Sequence, residues 1–81
     1  MVRVLMFGRL AEIAGWRTRG FDPTPPRLSA LKARIAAENA RLGQALEGAG
    51  VQAAVDRAVV RGDMDLPTGC EVAFMPPMSG G

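Results

Sequence analysis

The residues of this sequence best suited to chemistry are its last two, Gly80 and Gly81. Glycine has no Cβ atom, so its backbone can enter a channel that is too narrow for any other residue. A terminal glycine also leaves its α-carboxylate sterically open, so a partner enzyme could bind that carboxylate, activate it and modify it. The sequence therefore predicts a carrier protein whose working group is the terminal carboxylate of Gly81.

Two prolines directly follow the last predicted strand, residues 71–75, and come before the diglycine. Neither Pro76 nor Pro77 can donate a backbone hydrogen bond, so strand pairing is expected to stop there. A Pro-Pro pair favours the extended polyproline conformation, and residues 76–81 would span roughly 20 Å when fully extended. We expect a folded domain over residues 1–75, followed by an extended C-terminal tail that presents the diglycine to a partner.

The first predicted strand carries apolar residues on both faces. Val2, Val4 and Met6 share one face, and Leu5 and Phe7 share the other. This pattern is typical of an interior strand covered on both sides, or of a sheet that keeps one face for a partner.

Apolar residues at helical spacing predict one long helix and two short ones. In the long helix, Leu28, Leu31 and Ile35 form the apolar stripe that must be buried on a sheet. One short helix ends at Gly15 and the other includes residues 42–46. Further strands are predicted over residues 17–21, 51–55 and 58–60. The order of these elements predicts an α+β fold, a mixed sheet with one main helix packed across it.

Composition argues against several classes of function. A chain of 81 residues with 48% apolar content can form one domain with a core, but no deep cleft between lobes. A subunit or binding module is therefore expected rather than an autonomous enzyme. Ten basic and eight acidic residues give a net charge of +2, and the basic residues are scattered. We therefore expect no binding to nucleic acid.

The inventory of side chains also limits the possible chemistry. There is no histidine, the commonest general base and metal ligand. The single cysteine, Cys70, cannot form an internal disulfide or a thiolate metal site, and a lone cysteine beside a strand is typically a small buried hydrophobe. Neither a signal peptide nor a membrane span is predicted, so we expect a cytoplasmic protein that binds no metal and no membrane.

Sequence motifs at both ends of the chain match those of one known family. Toward the C-terminus they are Leu66-Pro67-Thr68-Gly69, Glu71-Val72-Ala73-Phe74, Pro76-Pro77 and Ser79-Gly80-Gly81. Near the N-terminus they are Arg3-Val4-Leu5-Met6-Phe7 and Leu10-Ala11-Glu12-Ile13-Ala14-Gly15. These motifs closely resemble the small subunit of molybdopterin synthase, a ubiquitin-like sulfur carrier. The resemblance spans essentially the whole chain, and the tail is its most specific part.

The resemblance implies a ubiquitin-like β-grasp fold and a defined role for the terminal carboxylate. An E1-like enzyme would adenylate the carboxylate of Gly81 with ATP and Mg²⁺, and sulfur transfer would then make a thiocarboxylate. The tail would deliver this sulfur to cyclic pyranopterin monophosphate, forming the dithiolene of molybdopterin. The catalytic side chains would belong to the large subunit of the synthase, and this chain itself would bind no cofactor.

The resemblance also implies a heterotetramer of two small and two large subunits. The family's apolar contact patch for the large subunit is matched by Phe7, Val59 and Met75. The tail would supply the remaining contacts, through Pro76, Pro77, Met78 and Ser79. Core packing is the alternative role for the three patch residues.

Three other functions remain open on the sequence alone. A ubiquitin-like protein modifier would be joined through Gly81 to lysines of target proteins. A thiamine-pathway sulfur carrier also ends in Gly-Gly, but is usually shorter and lacks Pro-Pro before the tail. A plain β-grasp binding module would have no need of a terminal diglycine. The chain departs from the synthase family's pattern at Cys70, at Asp56-Arg57 and at Met75, and none of these positions lies in the diglycine.

Overall fold

A computed structural model of the chain describes residues 1–77. Over these residues the elements are β1 Val2–Met6, α1 Arg9–Ala14, β2 Thr18–Phe21, α2 Leu28–Glu38, α3 Ala40–Leu46, β3 Gln52–Val55, β4 Ala58–Val60 and β5 Glu71–Met75. Every strand and helix predicted from the sequence is present, and the predicted strands agree with these bounds to within one residue. The second short helix, α3, follows α2 almost without a break.

The five strands form one mixed sheet in the order β2-β1-β5-β3-β4. The two central strands, β1 and β5, run parallel, with Val4 beside Val72. The other pairs are antiparallel, and Ala53 of β3 lies beside Phe74 of β5. The strand that leads into the tail therefore occupies the middle of the sheet, between the first strand of the chain and β3.

The core lies between one face of this sheet and the helices. Phe74 of β5 and Val4 of β1 are completely buried on that face, and Leu31 of α2 is completely buried against it. The residues that share this core with them are Val2, Met6, Leu10, Phe21, Leu28, Ile35, Leu42, Leu46, Ala53, Val55, Leu66, Cys70 and Val72. The predicted apolar stripe of the long helix is thus confirmed as the helical side of the core. The arrangement is the β-grasp fold that the sequence resemblance implies.

Asn39 joins the three helices. It ends α2 and begins α3, and its Oδ1 atom accepts a hydrogen bond from the backbone N–H of Leu42 at 3.0 Å. Its Nδ2 atom donates to the carbonyl oxygen of Ile13, in α1, at 3.3 Å. An asparagine is favoured at a helix start because its short side chain satisfies a backbone donor that has no partner within the helix.

Asp63, in the loop before β5, holds the start of α2. Its carboxylate accepts hydrogen bonds from the hydroxyl and the backbone N–H of Ser29, at 2.7 and 2.8 Å. It also accepts one from Nε of Arg27 at 3.0 Å. These donors favour the charged form, and with the Ser29 hydroxyl as the largest cause they lower the pKa of Asp63 from 3.8 to about 2.

Acid should therefore weaken the fold through Asp63. Because its pKa is lower in the folded state, the carboxylate stabilises the fold above its unfolded value of 3.8, and this contribution is lost as the pH falls toward 2. We expect Asp63→Asn to unfold at lower urea concentration than the parent at neutral pH, with the difference shrinking across that window. Ser29→Ala keeps the backbone donor and should show the same trend with smaller amplitude. A difference independent of pH would contradict this account.

Candidate functional site

The face of the sheet opposite the helices carries a row of apolar side chains. In the strand register Leu5 lies beside Ala73, Ala73 beside Ala54, and Ala54 beside Val59. Since paired residues on neighbouring strands point to the same side of a sheet, this row crosses four strands on one face. None of these four side chains belongs to the core between the sheet and the helices; Val59 is exposed, Leu5 and Ala73 are half-buried and Ala54 is buried.

A second row on the same face lies nearer the tail. Phe7 follows the end of β1, and its backbone N–H donates to the carbonyl oxygen of Phe74 at 3.2 Å, which places it beside Met75. Phe7 is 49% exposed and Val59 is 55% exposed, while Met75 is half-buried. The residues of the two rows are Leu5, Phe7, Ala54, Val59, Ala73 and Met75, and together they are called the open-face patch.

The three residues predicted for the apolar contact patch, Phe7, Val59 and Met75, therefore share one face, and none of them belongs to the core. Core packing, the alternative role, is wrong for Phe7 and Val59 because about half of each side chain is exposed. Leu5, Ala54 and Ala73 were not among the predicted contacts. Strand alternation alone could have added Leu5, but the two alanines are recognised only once the strand register is known.

A charged pair borders the open-face patch at the end of the sheet away from the tail. Arg3 and Glu71 lie on the same face as Leu5 and Ala73, and their side chains form an ion pair at 3.0 Å. The backbone N–H of Glu71 donates to Oδ1 of Asp56 at 2.9 Å, which fixes the turn between β3 and β4 beside this pair. An apolar centre with a polar rim is the usual anatomy of a protein–protein interface.

The base of the tail lies against the folded domain. Strand pairing ends with Gln52 and Met75, which confirms that the ladder stops before the two prolines. Pro76 is half-buried and Pro77 is exposed. Both line a shallow groove of about 370 Å³ whose other walls come from Arg9, Leu10, Ile13, Ala45, Gly48, Ala49 and Val51.

The predicted working residues Gly80 and Gly81 lie outside the described residues, as do the predicted contacts Met78 and Ser79. Their roles therefore stay predictions from the sequence, and so does the division into a domain over residues 1–75 and a tail over 76–81.

Cys70 is confirmed as a buried hydrophobe, with 3% of its surface exposed. Burial raises the pKa of its thiol, and the nearby charge of Asp56 raises it further. The thiol is therefore kept protonated and away from solvent, which is the opposite of the environment of a reactive cysteine.

Residues 1–77 contain no group of three histidine, cysteine, aspartate or glutamate side chains placed to hold a metal ion. In the same part of the chain, each helix is too short or too polar to cross a membrane.

Comparison with known proteins identifies the family of this chain. Residues 4–81 match the ThiS family. The chain belongs to the ThiS family. The molybdopterin synthase sulfur carrier subunit of Escherichia coli (strain K12) is 37% identical to it over 81 residues, which are 100% of each chain. The resemblance found in the sequence motifs is thus confirmed.

Solved structures agree with this membership. A Pyrococcus furiosus protein described as subunit 1 of a molybdopterin converting factor is 26% identical, with a TM-score of 0.79 over 95% of this chain and 97% of that one. Small archaeal modifier protein 1 from Haloferax volcanii also has a TM-score of 0.79, over 99% of this chain and 98% of that one, at 19% identity. At so low an identity the second likeness shows the fold alone, and it confirms the predicted ubiquitin-like β-grasp.

Proposed function

We propose that this ThiS-family chain is the sulfur-carrier small subunit of a molybdopterin synthase. The observation that carries the proposal is the 37% identity to the E. coli sulfur carrier subunit over the full length of both chains. The match to the P. furiosus converting-factor subunit supports the same assignment.

The proposed chemistry takes place at the carboxylate of Gly81. A carboxylate is a poor electrophile, so an E1-like enzyme would first join it to AMP, using ATP and Mg²⁺ and releasing pyrophosphate. Hydrosulfide from a sulfur donor would then attack the carbonyl carbon, and the bond to AMP would break so that AMP leaves. The product is a thiocarboxylate, whose sulfur is a soft anionic nucleophile toward cyclic pyranopterin monophosphate. As the sulfur bonds to a carbon of the precursor, an oxygen leaving group would depart from that carbon, and water would then cleave the resulting thioester to release Gly81 as a carboxylate, ready for another cycle.

The large subunit of the synthase is proposed to bind the open-face patch and the tail together. The patch is apolar, rimmed by the Arg3–Glu71 pair, and exposes Phe7 and Val59 by about half each. Met75, at its edge, directly precedes Pro76. A partner that covers the patch would therefore hold the tail at high effective concentration near its own active site. The proposed complex is a heterotetramer of two small and two large subunits, located in the cytoplasm.

A charge in the open-face patch should weaken this complex. We expect Val59→Asp to reduce the affinity for the large subunit by about 30-fold or more, because a carboxylate would be desolvated within an apolar interface. The free energy of unfolding should change by less than about 1 kcal/mol, since Val59 is an exposed residue of an edge strand.

Titration calorimetry with the large subunit measures the affinity, and urea unfolding measures the stability. Ala37→Asp, on the exposed side of α2, is the matched control and should bind like the parent protein. Equal weakening by the two substitutions would contradict the proposed surface.

Intact mass after activation tests the proposed function itself. The carrier is incubated with ATP, Mg²⁺, an E1-like enzyme and a sulfur donor, and its mass should rise by the difference between one sulfur and one oxygen atom. Adding the large subunit and cyclic pyranopterin monophosphate should reverse the increase and yield molybdopterin. Isopeptide adducts of Gly81 on lysines would instead establish a protein modifier, and sulfur delivery only to a thiamine precursor would establish the thiamine-pathway carrier.

A further inference from the structure

The two prolines at the base of the tail lie opposite two glycines. In the antiparallel register of β3 and β5, Gln52 pairs with Met75, and continuing that register by two residues sets Gly50 opposite Pro77. In the parallel register of β1 and β5, Met6 pairs with Phe74, and continuing it by two residues sets Gly8 beside Pro76. The two prolines that follow β5 therefore pass between two neighbouring chain segments, and each proline faces a glycine.

Gly50 lies so close to Pro77 that a side chain at position 50 would overlap the proline. A Cβ atom at Gly50 would lie 2.7 Å from Cβ of Pro77 and 3.6 Å from its Cα. Carbon atoms in contact are normally about 3.5–4.0 Å apart. Cβ of Pro77 belongs to a ring fused to the backbone, so it cannot rotate away, and the backbone of Pro77 itself would have to move.

The contact at Gly8 is less restrictive. A Cβ atom there would lie 3.0 Å from Cγ of Pro76, and a change of ring pucker could relieve that overlap. The position of the tail base therefore depends more on Gly50 than on Gly8.

We propose that Gly50 is a positioning residue for sulfur delivery: its lack of a side chain lets Pro77 lie against the domain and so sets the point from which residues 78–81 continue. The functional part of this inference rests on the proposed sulfur-carrier role. The open-face patch fixes the domain on the large subunit, so a displaced Pro77 would shift the starting point of the tail relative to the partner's active site. Misplacement of a reacting group by about 1 Å can reduce a rate by about 100-fold.

A matched pair of substitutions separates this role from backbone strain. Gly50 has φ of 82° and Gly62 has φ of 84°, a left-handed conformation that favours glycine at both positions. A Cβ atom at Gly62 would meet nothing within 4 Å, whereas one at Gly50 would meet Pro77. Gly50→Ala and Gly62→Ala should therefore lower the thermal midpoint by similar amounts, and only Gly50→Ala should displace Pro77.

NMR of the isolated carrier gives the first measurement, and it needs no partner. The parent protein and Gly62→Ala should show a nuclear Overhauser effect between the α protons of residue 50 and the ring protons of Pro77, with the same Pro77 carbon shifts. In Gly50→Ala the Pro77 shifts should change. Absence of the Overhauser effect in the parent, or unchanged Pro77 shifts in Gly50→Ala, would overturn the proposal.

The kinetics of sulfur delivery give the second measurement. With thiocarboxylated carrier and the large subunit, Gly50→Ala should lower kcat by about 10-fold or more while KM for the carrier changes little, because the open-face patch is intact. Gly62→Ala should stay close to the parent. Equal kcat values for the two variants would overturn the positioning role. If the parent itself delivers no sulfur, the proposed function fails, and the NMR comparison alone decides whether Gly50 sets the position of Pro77.

Discussion

A peptide tag added after Gly81 is expected to abolish sulfur delivery and leave the fold intact. The tag converts the terminal carboxylate of Gly81 into a peptide bond, so the terminal carboxylate belongs to the tag and Gly81 offers none for adenylation. Molybdopterin formation with the large subunit should fall below detection, and the mass increase on activation should disappear. The thermal midpoint of unfolding should not change, because the core is built from residues between Val2 and Phe74.

The same tag placed before Met1 is the matched control. Since β1 and β5 run parallel, Met1 lies at the end of the sheet away from the tail. The N-terminally tagged carrier should therefore be activated and deliver sulfur like the untagged protein. Molybdopterin production by a carrier shown by intact mass to retain its C-terminal tag would disprove the role assigned to Gly81.

Replacing Phe74 with alanine should have the largest effect on stability. Phe74 is completely buried in the central strand β5, with Met6 of β1 beside it on one side and Ala53 of β3 on the other. Truncation of a buried phenylalanine costs about 3–5 kcal/mol, through lost burial and the cavity that remains. Whole domains are stable by only about 5–15 kcal/mol, so this single change should remove a large part of the total. Equilibrium unfolding in urea measures the loss.

Phe7→Ala is the control for that substitution, because it removes the same atoms from the opposite face of the sheet. Phe7 is 49% exposed, and we expect its replacement to change the free energy of unfolding by less than about 1 kcal/mol. It should instead weaken binding to the large subunit. If Phe74→Ala and Phe7→Ala lowered the free energy of unfolding by similar amounts, the assignment of Phe74 to the core face and Phe7 to the exposed face would be wrong.

The order of the elements could be predicted from the sequence because each depends on a local pattern. Leu28, Leu31 and Ile35 mark a helix by their spacing alone, and Pro76-Pro77 mark the end of β5 because proline has no backbone donor. The role of the Gly81 carboxylate is likewise predicted from local chemistry. Because Gly81 lies outside the described residues, this role stays a prediction from the sequence.

Features that depend on which strands pair could not be predicted in this way. Ala54 and Ala73 join the open-face patch only because β5 lies between β1 and β3, and alanine carries no signal of its own. The approach of Gly50 to Pro77 likewise becomes visible only from the register of β3 and β5.

The environment of Trp16 could not be predicted from the sequence either. Its ring lies 6.2 Å from that of Phe21 between centroids, and the guanidinium of Arg19 lies 4.5 Å from the Phe21 ring centroid. This cluster depends on how β2 and the chain before it fold back on the domain, which the local sequence does not determine.

The central place of β5 in the sheet has a consequence for synthesis of the protein. Of the strands in residues 1–77, β5 is synthesised last, yet both β1 and β3 need it as a neighbour. A nascent chain released before residue 71 would lack Phe74 and Val72 and could not close its core. Copies terminated before residue 71 would therefore be exposed to proteolysis, and copies that fold would carry the strand that precedes the diglycine.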